Sequence, residues 1–91
     1  MIVIIAYDVR DDDRRARLAA TLGRHGVRLQ KSVFECLVDE TVLAELTLDA
    51  EALLDLDHDV LHVFRQCSPC VEARVAIGQV NTVMHERFWV V

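Results

Sequence analysis

The sequence lacks any hydrophobic run long enough to cross a membrane. Its longest aliphatic stretch covers only residues 2–6, whereas a spanning helix needs about 20 apolar residues. No basic segment precedes that stretch, so we expect a soluble, cytoplasmic protein with no membrane partner. Proline occurs once and glycine three times, which excludes a linker-rich or disordered chain.

Cysteine is scarce as well, since the chain has three, and an odd number without a secretory signal argues against a disulfide framework. Cys67 and Cys70 have the spacing of half a zinc knuckle, but no second pair completes four ligands. An ordinary turn is the simpler interpretation of this motif, and metal binding is the alternative. His58 and His62 lie in strand-like sequence, which sets them ~13 Å apart and disfavours a metal pair.

Apolar residues make up 53% of the 91 positions, which indicates a single folded domain over residues 1–91. A chain of this size buries only about 60–65% of its unfolded surface, so a stabilising partner chain is expected.

Charge is distributed unevenly around a net value of −5. Residues 10–31 hold seven of the ten basic residues and three acids, whereas residues 39–59 hold eight acids and no base. One surface is therefore expected to attract a polyanion that the other repels. The alternative is simply two solvated helices of opposite sign.

The apolar patterns predict alternating strands and helices. Residues 1–7 are continuously apolar, as in a buried central strand. A helix over residues 12–24 follows, with Asp11–Asp13 at its N-terminus and Gly26 as its C′ residue. Residues 27–38 are extended, and a change of phase predicts a bulge or bend near Lys31 and Ser32. A second helix is predicted over 41–56, which residues 47–49 could interrupt, and a strand follows over 58–66.

The first helix is predicted to have an apolar face and a basic face. Taking 100° per residue, Arg15 lies at the rim of the apolar face. The apolar side holds Leu18, Ala19 and Leu22, and the basic side holds Arg14, Arg17 and Arg24.

The C-terminal part adds further strand character. Residues 71–77 alternate as in a half-exposed strand, and the segment 78–91 ends in apolar residues. Adding that segment to the sheet edge of a second subunit would cover both the edge and the apolar residues. The predicted class is therefore α+β: a ferredoxin-like βαββαβ fold with an extra C-terminal strand, in a homodimer.

Asp8 is the sharpest candidate for chemistry, because it ends the first buried strand where a loop opens towards the helix. A structural alternative is an Asx-type turn residue. Magnesium is usually held by one or two carboxylates together with substrate phosphates and water, so Asp8 alone makes a poor site. Asp8 and its copy across a two-fold axis could share one ion that activates water for phosphodiester cleavage.

Other side chains near this strand end could bind nucleic acid. The arginines could hold phosphates bidentately, and Phe34 or Tyr7 could stack on a base. Surface solvation and pairing with Asp11–Asp13 are the alternative for these arginines. Ser32 has no partner pattern of a nucleophile, so a structural or phosphate-contacting role is favoured. The arginines concerned are Arg14, Arg15, Arg17 and Arg28.

Four segments together resemble the CRISPR-associated Cas two family over nearly the whole chain. They are AYDV at residues 6–9, DDDRR at 11–15, HGVRLQKSVFE at 25–35 and the late Cys-x-x-Cys turn. The resemblance implies a small ferredoxin-like homodimer that joins the Cas one integrase in capturing new spacers, and a strand of residues 86–91 added to the partner's sheet. It assigns divalent-metal binding and catalysis to Asp8, with Tyr7 as the matching aromatic residue before it. It assigns nucleic-acid contacts to Arg14, Arg15, Arg17, Arg28, Ser32 and Phe34.

Three functions follow from these observations. The first is a magnesium-dependent endonuclease acting on RNA or DNA. The second, which we favour as the biological role, is a dimeric adaptor for the Cas one integrase in spacer acquisition, with endonuclease activity as an accompaniment. The third is a ferredoxin-like regulatory or small-ligand-binding module, which the absence of a glycine-rich ligand loop disfavours.

Overall fold

The computed structural model describes residues 1–66, and these form a four-stranded antiparallel sheet and two helices in the order βαββαβ. The predicted α+β class and element order are confirmed. The Cys67-x-x-Cys70 turn, the strand over 71–77 and the C-terminal segment 78–91 lie outside the described residues. The elements are β1 (Ile2–Asp8), α1 (Asp12–Gly23), β2 (Gly26–Gln30), β3 (Val33–Leu37), α2 (Glu40–Leu53) and β4 (Val60–Gln66).

Strand β1 lies inside the sheet, whose order is β2-β3-β1-β4, so the prediction of a central strand is confirmed. Val3, Ile5 and Tyr7 point to one side because side chains alternate along a strand. They join a buried cluster with Leu18 and Leu22 of α1. Apolar residues of α2 complete this cluster, so both helices cover the same face of the sheet.

Helix α1 begins where three aspartates meet the arginines. Asp11 is the N-cap, and its carboxylate accepts a hydrogen bond from the amide of Arg14 at 2.9 Å. Asp12 and Asp13 follow in the first turn, where negative charge is favourable to the helix dipole. The capping role predicted for this acidic segment is confirmed.

Gly26 is not the C′ residue of α1, and that prediction is wrong. The helix ends at Gly23 with Arg24 as its cap, and Gly26 is already the first residue of β2. A Cβ atom on Gly26 would lie 1.9 Å from the carbonyl oxygen of Glu35. Glycine is therefore required by the close approach of β2 to β3, not by the helix end.

Strands β2 and β3 form a hairpin around Lys31 and Ser32. The register shifts between Arg28 and Gln30, which accounts for the change of apolar phase in the sequence. The predicted irregularity is confirmed, and it consists of a bulge followed by a turn.

Helix α2 is capped by Asp39, whose carboxylate accepts a hydrogen bond from the amide of Val42 at 2.7 Å. The helix is continuous through residues 47–49, which decides against the interruption considered there. Leu43, Leu46 and Ala50 keep one face buried along its length. Among residues 1–66, neither helix is long and apolar enough to cross a membrane.

Candidate nucleic-acid and metal site

The functional candidates surround the end of β1, where burial changes from residue to residue. Tyr7 is 5% exposed and Val9 is 3% exposed, whereas Asp8 between them is exposed. The backbone of Asp8 is paired with that of Val60 in β4. The strand thus presents the carboxylate to solvent from a fixed backbone position.

Asp8 lines a pocket of about 220 Å³ with five neighbours. The lining residues include one carboxylate, two cationic side chains and the hydroxyl of Ser32, which is a set of groups that suits phosphate. The structure brings together four of the predicted site residues here, namely Tyr7, Asp8, Arg15 and Ser32, and adds Val9 and Lys31. Lys31 was not predicted as a site residue. Its positive charge and its position next to Ser32, near the predicted bend, were the features of the sequence that indicated it.

Arg15 connects α1 to the loop that follows β1. Its Nε donates to the carbonyl oxygen of Val9 at 3.1 Å, and its Nη2 donates to that of Arg10 at 3.3 Å. Its Nη1 pairs with Asp12 at 2.6 Å. The guanidinium is held at the pocket by several contacts and still lines it.

Arg14, for which a phosphate contact was predicted, does not line the pocket and pairs with Asp59 instead. Its Nε lies 2.8 Å from Oδ2 of Asp59, and its Nη2 lies 3.2 Å from Oδ1. The side chain of Asp59 has no exposed surface. The hydrogen bond from Arg14 holds the pKa of Asp59 well below its ordinary value, and the same contact raises the pKa of Arg14. Sequence patterns gave no signal for Asp59, which is one of many acids in an acidic segment.

Arg17 and Arg28 lie outside this pocket. Arg17 pairs with Asp13 at 3.0 Å across one turn of α1, and both side chains are exposed. The guanidinium of Arg28 lies 5.3 Å from the ring centroid of Phe34, a cation–π geometry. Nucleic-acid contact by these two arginines stays a prediction.

The rings of Tyr7 and Phe34 belong to the core. Their centroids are 6.3 Å apart in a stacked arrangement, and Phe34 is 4% exposed. Neither ring offers an open face to a base in this arrangement, contrary to the stacking role predicted for them. The Tyr7 hydroxyl has no hydrogen-bond partner within residues 1–66. Catalysis by Tyr7 and nucleic-acid contact by Phe34 stay predictions.

The donor set at the pocket fits half of a magnesium site. Asp8 is the only carboxylate among the residues that line it, and residues 1–66 contain no group of three or more side chains suited to hold a metal. An exposed carboxylate beside the Ser32 hydroxyl provides hard oxygen donors, which Mg²⁺ prefers. No second carboxylate lines the pocket among residues 1–66.

His58 and His62, the pair considered as metal ligands, occupy separate places. Nδ1 of His58 lies 2.9 Å from the carboxylate of Asp55 in the turn before β4, and this contact lowers the pKa of Asp55. His62 lies within β4 and stacks on Phe64, with ring centroids 6.0 Å apart.

Fold and pocket together define a small ferredoxin-like protein with a mixed acidic and basic site at the end of its central strand. The chain belongs to the family described as CRISPR associated protein Cas2, whose match covers residues 1–74. The resemblance seen in the sequence is therefore confirmed. The function is CRISPR-associated, in a family whose relatives carry nuclease names.

Two relatives illustrate the range of similarity. The "CRISPR-associated endonuclease Cas2 2" of Thermus thermophilus is 48% identical over 60 residues, which are 66% of this chain and 67% of the relative. The "CRISPR-associated endoribonuclease Cas2 4" of Rhodospirillum rubrum is 34% identical over 89 residues, covering 97% of this chain and 71% of the relative.

Solved structures share the fold. A hypothetical protein, TT1823 from Thermus thermophilus, superposes with a TM-score of 0.75 at 39% identity, covering 88% of this chain and 92% of the other. The Streptococcus pyogenes Cas2 structure at pH 6.5 gives a TM-score of 0.76 at 23% identity, over 86% of this chain and all of that chain.

Proposed function

We propose that this protein is a dimeric nucleic-acid-binding adaptor for the Cas one integrase in CRISPR spacer acquisition, with magnesium-dependent cleavage of phosphodiesters as an accompanying activity. The carrying observation is the pocket in which Asp8 faces solvent beside Arg15 and Lys31. Cytoplasmic location is part of the same proposal.

Nucleic acid is the ligand class that this pocket suits best. Arg15 and Lys31 would bind non-bridging phosphate oxygens, because a guanidinium and an ammonium both complement phosphate. The contacts of Arg15 to two backbone carbonyl oxygens hold its guanidinium in one orientation at the pocket. The hydroxyl of Ser32 would add a further hydrogen bond to the backbone of the nucleic acid.

Magnesium would be held by Asp8 of two chains related by a two-fold axis. Each chain provides one exposed carboxylate at the pocket, and pairing would supply the second. When bound, the ion would polarise a phosphoryl oxygen and activate a water molecule. Arg15 and Lys31 would place the scissile phosphate near Asp8. Dimerisation through residues 86–91, added to the partner's sheet, would bring the two pockets into register.

The adaptor role draws on the charge distribution as well as on family membership. Cations cluster around the pocket, whereas α2 and the following turn contain only acids among their charged residues. A nucleic acid would therefore lie on one surface and leave the acidic surface to protein partners. Relatives named endonuclease and endoribonuclease support testing both DNA and RNA.

The decisive variant is Asp8→Asn, which removes the charge and keeps the size of the side chain. Asp49→Asn is the matched control, because Asp49 is an exposed acid on α2. Nuclease-free preparations of each are tested for cleavage of RNA and DNA with and without Mg²⁺, and the same variants are tested for spacer acquisition. We expect Asp8→Asn to abolish metal-dependent cleavage and Asp49→Asn to retain it.

Spacer acquisition separates the two parts of the proposal. Acquisition that survives Asp8→Asn but is lost when residues 86–91 are deleted would support the adaptor role. Equal cleavage by wild type and Asp8→Asn, or cleavage without divalent metal, would overturn the nuclease part. Failure to bind any nucleic acid, alone or with the integrase, would favour the small-ligand module instead.

A further inference from the structure

The buried carboxylate of Asp59 contacts the segment that follows Asp8 but does not line the pocket. It lies just before β4, and its side chain has no exposed surface. A buried carboxylate is costly unless its oxygens are fully paired. Here they accept four hydrogen bonds: from the Arg10 amide at 3.1 Å, the Asp55 amide at 3.0 Å, Arg14 Nε at 2.8 Å and Arg14 Nη2 at 3.2 Å.

Three of these four donors belong to two residues of the segment that follows Asp8. Arg10 is in the loop between β1 and α1, and Arg14 is in the first turn of α1. The carbonyl oxygens of Val9 and Arg10 accept hydrogen bonds from Arg15 on the other side. The loop is therefore held from α1 by Arg15 and from the start of β4 by Asp59.

This arrangement also fixes what Arg14 can do. A guanidinium with two donors committed to a buried carboxylate is a scaffold group, and moving it to a phosphate would leave Asp59 buried with an unpaired charge. Arg15 and Lys31 line the pocket, whereas neither Arg14 nor Asp59 does. Arg15 is thus placed to contact a ligand, whereas Arg14 supports the loop through Asp59.

We infer that Asp59 is a positioning residue for the site, which sets the separation between Asp8 and Arg15 by holding Arg10 and Arg14. This inference rests on the proposed function for its effect on cleavage. It makes Arg14 a support of the site, so Arg14 does not contact the phosphate. A misplacement of reacting groups by about 1 Å can cost about 100-fold in rate, so loss of this support is expected to reduce kcat.

The test uses the full chain with Asp59→Asn and its matched control Asp57→Asn, an exposed neighbour. Steady-state cleavage gives kcat and KM, and amide hydrogen exchange of Arg10 reports on the loop directly. We expect Asp59→Asn to lower kcat by about tenfold or more. The KM for nucleic acid should stay within about twofold, because Arg15 and Lys31 remain. Amide hydrogen exchange at Arg10 should become faster. The control should match wild type in all three measurements.

A second variant, Arg14→Gln, keeps the inference testable if Asp59→Asn does not fold. We expect Arg14→Gln to lower kcat in the same way, and the double variant to lose no more than the worse single variant, because both act through one contact. A phosphate-contacting Arg14 would instead raise KM, and additive losses would also overturn the inference.

The exchange measurement distinguishes this inference from the proposed function. If wild type cleaves nothing, the nuclease proposal fails, and Arg10 exchange in Asp59→Asn still decides whether Asp59 holds the loop. Unchanged exchange at Arg10, or wild-type kcat in a folded Asp59→Asn, would overturn the positioning role.

Discussion

The guanidinium of Arg14 holds the carboxylate of Asp59 through two parallel hydrogen bonds, with N···O distances of 2.8 and 3.2 Å. The pair joins the first turn of α1 to the residue before β4, across 45 positions of sequence. Because the contact is made to the ionised form of Asp59, it lowers the pKa of that carboxyl below the ordinary value of 3.8.

The first prediction is a loss of stability in acid. Since the pKa of Asp59 is lower in the folded than in the unfolded chain, the contact stabilises the fold above pH 3.8 and its contribution is lost as the pH falls below that value. Urea unfolding measured from about pH 5 to about pH 2.5 should therefore show a falling midpoint. Asp59→Asn should flatten this dependence, whereas Asp57→Asn should keep it. A wild-type slope in Asp59→Asn would contradict the prediction.

The second prediction concerns the buried thiol of Cys36. Burial raises its pKa from 9.0 to about 11, and the charge of Glu35 acts in the same direction. At pH 8 such a shift reduces the thiolate fraction by about 100-fold. Labelling with a disulfide reagent should accordingly be slow in the folded protein and fast in urea. The measurement uses Cys67→Ser/Cys70→Ser, so that one thiol remains, and fast labelling of the folded chain would refute the shift.

A third prediction compares two glycines. Gly26→Ala would place a methyl group 1.9 Å from the Glu35 carbonyl oxygen, and relieving that overlap is expected to cost at least about 1–3 kcal/mol of unfolding free energy. At Gly23 a Cβ meets nothing within 4 Å, so alanine should stabilise the end of α1 by about 0.5 kcal/mol. Denaturant unfolding of the two variants gives both values, and equal effects would be inconsistent with the close approach of β2 to β3.

The fourth prediction separates two arginines of α1. Arg15 lines the pocket, whereas Arg17 pairs with Asp13 away from it. Arg15→Gln should weaken nucleic-acid binding and reduce the slope of log affinity against log salt by about 0.7–0.9, the value of one phosphate contact. Arg17→Gln should change this slope less. Fluorescence anisotropy at several salt concentrations measures both, and equal slopes would remove Arg15 from the proposed interface.

Local patterns predicted most of the described fold. The apolar run of β1 could be interpreted alone because a continuous apolar run favours an inner strand over a half-exposed edge strand. The start of α1 followed from Asp11, since capping depends on residues only three positions apart. Asp8 was proposed as a site residue for a similar reason, because it lies at the end of a recognisable strand.

The remaining features depend on contacts between distant residues. Gly26 was assigned to a helix end because glycine serves helix ends and close strand approaches equally well, and only the position of Glu35 decides between them. Asp59 was missed because it meets Arg14 from the far end of the described chain. The prediction that Tyr7 or Phe34 exposes a ring face was wrong for the same reason, because packing between distant residues decides which aromatic rings are covered.

The exposure of Asp8 at the end of a buried strand has a consequence for how such proteins evolve. Its side chain is exposed, while its backbone is fixed by pairing with Val60. A substitution there can remove the acid and leave the sheet, the core and the helices intact. On the proposed function, a lineage with this architecture could lose metal-dependent cleavage by a single change at Asp8 and keep its fold.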